Sequence, residues 1–125
     1  MDRFVEFMIG EKFLAIRVQD VLGFAKGIKW CRLPLAPEGV VGICNWHGKI
    51  CPLVDLGVFL GTTGSGGPWI CAAQGKSRPI AILVDAVTGI ETAEMTPVEE
   101  DLIIGVYGEA RLVLNTTEIE RLCGI

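Results

Sequence analysis

Val40-Val41-Gly42-Ile43-Cys44-Asn45-Trp46-His47-Gly48-Lys49-Ile50-Cys51-Pro52-Leu53-Val54-Asp55 is the stretch from which the fold is read. Two apolar runs, Val40–Trp46 and Lys49–Val54, flank His47-Gly48, a two-residue connection whose glycine tolerates positive φ. This spacing predicts a tight hairpin with Trp46 opposite Lys49, Asn45 opposite Ile50 and Cys44 opposite Cys51. Counting outward from the turn puts Cys44 and Cys51 in a hydrogen-bonded pair, with Cα atoms about 5.5 Å apart. The first run, from Val40 to Cys44, is apolar at every position, and so is Ile80-Ala81-Ile82-Leu83-Val84. A strand with one wet face would alternate. Strands covered on both sides point to two small β-barrels packed together, a closure that also removes exposed edges.

Outward from this hairpin the chain reads as short strands and tight turns. Residues 3–9 and 13–18 form a hairpin around Gly10-Glu11-Lys12, and residues 28–33 form a weaker strand ended by Pro34 and Pro37. Strands are also predicted over 69–73, Pro79–Val84, 102–107 and Arg111–Leu114. Helix is confined to a turn or two in 55–60, with Asp55 as its cap, and to a C-terminal helix through Cys123. Asn115 or Thr116 caps the latter, and Gly124 ends it. The glycine-rich residues 61–67 mark a subdomain boundary within one domain, 1–125.

Residues 13–60 and 68–115 resemble one another. Ala15, Ile16, Val18, Val21 and Gly23 recur as Ala81, Ile82, Val84, Val87 and Gly89; Leu53-Val54-Asp55 recurs as Val113-Leu114-Asn115. Pro37 precedes Val41-Gly42 much as Pro97 precedes Ile104-Gly105. A duplicated unit with altered loops accounts for the pattern.

The chain has 125 residues, half of them apolar and 21% charged, with a net charge of −4. That is enough for one domain with surplus apolar surface for partners. Its scattered Lys and Arg exclude a nucleic-acid footprint, and its apolar runs fall short of the roughly 20 residues of a membrane span. The N-terminus enters a patterned segment at once, without a signal peptide. Five cysteines, an odd number, with apolar neighbours then read as reduced thiols in a cytosol.

The chemistry of an enzyme is not in view. His47 is the only histidine, Ser65 and Ser77 sit in glycine-rich turns, and Gly64-Ser65-Gly66-Gly67 lacks the Lys of a phosphate-binding loop. No cofactor is expected. Cys44, His47 and Cys51 share one hairpin, which raises a thiol or metal regulatory module as an alternative. Three ligands without Cys-x₂-Cys spacing make a poor zinc set.

The run from Pro34 to Leu56 resembles the central motif of CheW-like domains, chemotaxis coupling proteins. Ile82-Leu83-Val84-Asp85-Ala86-Val87 resembles the family's second signature, and Ile104-Gly105-Val106 with Leu112-Val113-Leu114 its third. The resemblance covers nearly the whole chain. It implies a mostly β fold of two intertwined, five-stranded SH3-like barrels with short helices. It further implies a non-catalytic, cytoplasmic adaptor coupling chemoreceptors to a CheA-type histidine kinase. The expected partners are the regulatory domain of that kinase and the cytoplasmic tip of a receptor.

The expected partner-binding residues are Val21, Phe24, Gly42, Asn45, Trp46 and His47. Val21 and Phe24 fall where the family has a receptor-facing turn. Trp46 is an interface anchor or a lid on the barrel end. Two departures bear on the receptor: His47 replaces the family's arginine, and Gly23 replaces an acidic residue. Neither reproduces a guanidinium–carboxylate pair. A divergent scaffold serving another motility or sensory pathway, with altered receptor binding, is therefore a further alternative.

Overall fold

The computed structural model describes residues 1–62 and 67–124. Of the boundary expected at 61–67, residues 63–66 lie outside the described residues. The strands are β1 (Asp2–Ile9), β2 (Lys12–Arg17), β3 (Val21–Lys26), β4 (Trp30–Arg32), β5 (Val40–Trp46) and β6 (Lys49–Val54). After the short helix α1 (Gly57–Leu60) come β7 (Trp69–Gln74), β8 (Pro79–Val84), β9 (Ala86–Ala93), β10 (Thr96–Pro97), β11 (Ile103–Tyr107) and β12 (Arg111–Leu114). Helix α2 (Thr116–Cys123) closes the chain.

The strands form two six-stranded sheets, ordered β10-β11-β12-β2-β1-β9 and β4-β5-β6-β8-β7-β3. Each contains five longer strands and a sixth short one, β10 or β4, at one end. The first hairpin, β1–β2, joins the first sheet with β9 to β12. The hairpin β7–β8 joins the second with β3 to β6. Each sheet thus takes two strands from one part of the chain and four from the other, and the seams are parallel. Leu53 lies beside Ala81 in one seam, and Val113 beside Ala15 in the other. The chain returns to the first sheet at Asp85, whose carboxylate accepts from the Gly10 N–H at 2.5 Å while its own N–H donates to the Met8 carbonyl at 2.9 Å.

This exchange explains why certain strands are apolar on both faces. Ile80, Ile82 and Val84 of β8 enter a large cluster with Phe7, Leu14, Ile16 and Ile119. Ala81 and Leu83, pointing the other way, join Cys44, Cys51, Leu53 and Ile70 inside the second sheet. In β2 likewise Leu14 and Ile16 face the shared core, while Ala15 packs with Phe4, Tyr107 and Val113. Among the described residues these make three apolar compartments, which the seam strands divide.

Irregularities recur at corresponding places. Leu22 is the extra residue of a bulge in β3, and Thr88 in β9; Val41 is extra in β5, and Ile104 in β11. Asp55 accepts from the Gly57 N–H at 2.9 Å, and Asn115 from the Glu118 N–H at 3.2 Å. Three corrections follow. β3 and β9 are strands that the apolar pattern did not reveal. Val21 and Phe24 therefore lie on an outer strand and not in a turn. Pro97 pairs with Gly105 whereas Arg32 pairs with Gly42, so Pro97 corresponds to Arg32 and not to Pro37.

Candidate docking site

The β5–β6 hairpin pairs Trp46 with Lys49, Asn45 with Ile50 and Cys44 with Cys51, as its spacing predicts. Its turn needs positive φ at both central residues, and His47 and Gly48 adopt 50° and 88°. The Asn45 carboxamide oxygen accepts from the Gly48 N–H at 2.7 Å, fixing the loop. His47 is exposed, with its ring 4.7 Å from that of Trp46.

The half-buried Trp46 turns inward over β3. A Cβ built on Gly23 would meet its indole at 3.0 Å and 3.2 Å, so the missing side chain makes room for this ring. Trp46 also packs on the inner cluster of the second sheet. The lid reading of Trp46 describes this contact. Gly23, Trp46 and His47, distant in sequence, therefore meet at one end of the sheet.

The other expected residues divide between that end and the interior. Phe24 packs edge-on against Phe7 with ring centroids 6.3 Å apart, and Val21 leans on the shared core. Gly42 is buried, and a Cβ there would strike the Cys31 carbonyl and the Trp30 indole, at 2.6 Å from the latter. Its role is close approach between β4 and β5. Asn45 faces outward opposite Ile50.

That outward side holds a surface the sequence reading missed. Trp30, Cys31, Ile43, Asn45 and Ile50 line an open, mostly apolar depression of about 400 Å³, with Lys29 at its edge. Ile50 is 63% exposed, and Trp30 36%. The available signal was Trp30 within a weak strand, followed by an apolar residue at Ile50 opposite the polar Asn45. Large apolar groups on rigid strands are the ordinary material of a docking face.

The cysteines of this hairpin are buried and free. Burial, first of all, pushes the Cys44 thiol up to about 11, and the neighbouring Cys51 adds to the effect. Burial also raises Cys51. Such thiols stay protonated near neutral pH and are poor nucleophiles and ligands. Nothing in this arrangement supports the thiol or metal module. Among the described residues no three His, Cys, Asp or Glu groups are set to hold a metal, and no helix is long and apolar enough to cross a membrane.

The counterpart end of the first sheet is polar. The Tyr107 hydroxyl donates to Glu6 at 2.6 Å, and Arg111 approaches the same carboxylate at 3.5 Å. The Arg111 guanidinium lies 4.1 Å from the centroid of Phe13. Burial, then the bond to Glu6, raises the Tyr107 phenol well above its ordinary value.

The family model described as CheW-like domain matches residues 3–123. The chain belongs to the CheW-like domain family. This CheW-like domain is 31% identical over 91 residues to the chemotaxis protein CheW of Rhizobium meliloti, a match covering 70% of this chain and 59% of that protein. It is 34% identical over 59 residues to the chemotaxis protein CheW of Helicobacter pylori, covering 47% of this chain and 36% of that one. The chain thus spans 59% and 36% of the length of these relatives. The crystal structure of the scaffolding protein TtCheW from Thermoanaerobacter tengcongensis superposes with a TM-score of 0.79 at 21% identity, covering 91% of this chain and 87% of that one. The shared fold is mostly β with two SH3-like subdomains.

Proposed function

We propose that this CheW-like domain is a non-catalytic adaptor of chemotaxis-type signalling, coupling chemoreceptors to a CheA-type histidine kinase by docking. The observation that carries this reading is the apolar face of Trp30, Ile43 and Ile50, held on paired strands beside the Trp46–His47 end. A rigid hairpin presenting apolar groups suits fixed-geometry attachment, which is what coupling requires. Family membership over residues 3–123 supports the same role. We further infer that the domain works in the cytoplasm and borrows any membrane association from its receptor.

Within this reading the kinase's regulatory domain docks on the β4–β6 face, and the receptor tip meets the end where Gly23, Asn45, Trp46 and His47 gather. Val21, Phe24 and Gly42 set the positions of these strands from beneath. We also infer that residues 13–60 and 68–115 are copies of one unit within a single domain, 1–125; the recurring bulges support it.

The test is calorimetric titration with the regulatory domain of a CheA-type kinase from the same cell. Micromolar or tighter binding is expected, weakened about tenfold by Ile50→Glu. Absence of binding would overturn the kinase partner. A receptor fragment should bind His47→Arg more tightly than the natural chain; equal affinity would count against that end as the receptor contact.

A further inference from the structure

The outer strands β3 and β9 are counterparts, yet they are not equally protected. On β3 the Trp46 indole covers Gly23, Lys26 reaches within 5.7 Å of the Trp69 ring, and Phe24 turns into the core. On β9, among the described residues, nothing lies within 4 Å of where a Gly89 side chain would begin. Val87 and Ile90 are 38% and 58% exposed, and Thr88, Glu91 and Thr92 are exposed beside them.

Among the described residues β9 ends its sheet, paired only with β1. Among the described residues no backbone hydrogen bond reaches its other side. Natural sheets blunt such an edge with Lys, Pro or brevity. β9 has neither residue and runs for eight residues. Its one bulge, at Thr88, leaves Gly89 to Ala93 in regular register with Glu6 to Asp2.

Next to this edge the β11–β12 loop leaves an open cleft of about 300 Å³, at the end corresponding to the one Trp46 closes in the second sheet. Glu6, Glu91 and Glu109 line it against a single cation, Arg111. Glu6 is engaged with Tyr107, and Arg111 is held between Glu6 and Phe13. Among the described residues the Glu91 and Glu109 carboxylates have no hydrogen bond or ion pair.

We propose that β9 is a docking edge for an extended basic segment of another protein, which adds to the sheet as a further strand. Main-chain bonds to the free side of β9 supply affinity, and alternate side chains supply selection. One set, carrying Lys or Arg, enters the cleft toward Glu91 and Glu109. The opposite set, apolar, lies along Ile90. Side chains alternate across a strand, so one peptide satisfies both. This surface is separate from the β4–β6 face and does not rest on the adaptor reading.

The probe is an end-blocked peptide the length of β9, alternating lysine and valine, titrated into the intact chain and followed by NMR. Amide shifts should move at Gly89 to Ala93, and their exchange with solvent should slow. Two versions of the peptide, N-methylated on one or the other alternate set of residues, separate strand pairing from charge. One version should lose binding and the other keep it. Glu91→Lys should weaken binding about tenfold, and Lys26→Glu on β3 should leave it unchanged. The proposal fails if the peptide does not bind or if both N-methylated versions bind as well as the parent. It fails equally if the shifts map to β3 and β4, or if β9 proves to be occupied by a second copy of this chain.

Discussion

The two sheets finish their hairpin ends by different means. In the second, a two-residue turn brings Trp46 over Gly23, and the closure is apolar. In the first, a three-residue loop, Gly108 to Ala110, leaves the end to Tyr107, Glu6 and Arg111. One topology thus tolerates an indole lid or a buried hydrogen-bonded carboxylate. The difference lies in what each leaves outside: an apolar face with an exposed histidine on one, an acidic cleft beside an open edge on the other.

The largest test strikes the two hairpins where each crosses its short outer strand. Gly42→Val should destabilise by about 3 kcal/mol, because the new side chain meets the Cys31 carbonyl as well as the Trp30 indole. Gly105→Val meets the flexible Met95 side chain first, with the Thr96 carbonyl at 2.9 Å, and should cost about half as much. Urea unfolding measures both; equal losses would mean that the two crossings are packed alike.

Next in size, Gly23→Glu should cost about 2 kcal/mol by displacing Trp46. In a Trp46→Ala background the same change should cost less than half of that. If the two penalties simply add, the indole does not depend on Gly23 for its place.

On the polar side, Tyr107→Phe should cost about 1 to 2 kcal/mol by leaving the Glu6 carboxylate short of a donor. The phenol is raised in the folded state, so its contribution is complete below its ordinary value of 10.0 and fades as pH climbs beyond it. The buried thiols act with the same sign from lower pH: burial lifts Cys71 from 9.0 to about 12. Unfolding midpoints should therefore fall above pH 9, and Tyr107→Phe should flatten the upper part of that decline. A flat profile would contradict the burial of these groups.

The smallest effect is a gain. Ala110 holds φ at 59° in the longer loop, a conformation glycine adopts without strain. Ala110→Gly should raise stability by up to about 1 kcal/mol, seen as a higher midpoint in thermal unfolding. A loss instead would show that Ala110 packs in a way its exposure does not suggest.

Legibility in the sequence followed the same divide. β5, β6, β8 and β12 are bounded by turn residues and filled with apolar side chains, so their ends were readable. β3 and β9 were not, because each packs on one side only. Val21-Leu22-Gly23-Phe24-Ala25-Lys26 and Ala86-Val87-Thr88-Gly89-Ile90-Glu91-Thr92-Ala93 mix glycine, polar and apolar residues around a bulge. The exchange of hairpins was beyond local pattern, since pairing Ala15 with Val113 is a contact across most of the chain. At the candidate site the turn and the cysteine register were visible in spacing. The meeting of Gly23 with Trp46 and the depression under Trp30 arise only when strands far apart in sequence become neighbours.

The two crossings of the chain between the sheets have a mechanical consequence. Each seam lies within one sheet, so what couples the sheets is the chain itself, which crosses between them at Val18–Asp20 and again at Asp85, where Asp85 is bonded to Gly10 and Met8 of the first hairpin. Subdomains joined by a single linker can pivot about it; these are tethered at two points and share one core. A twist of one sheet against the other must therefore strain both tethers or open that core.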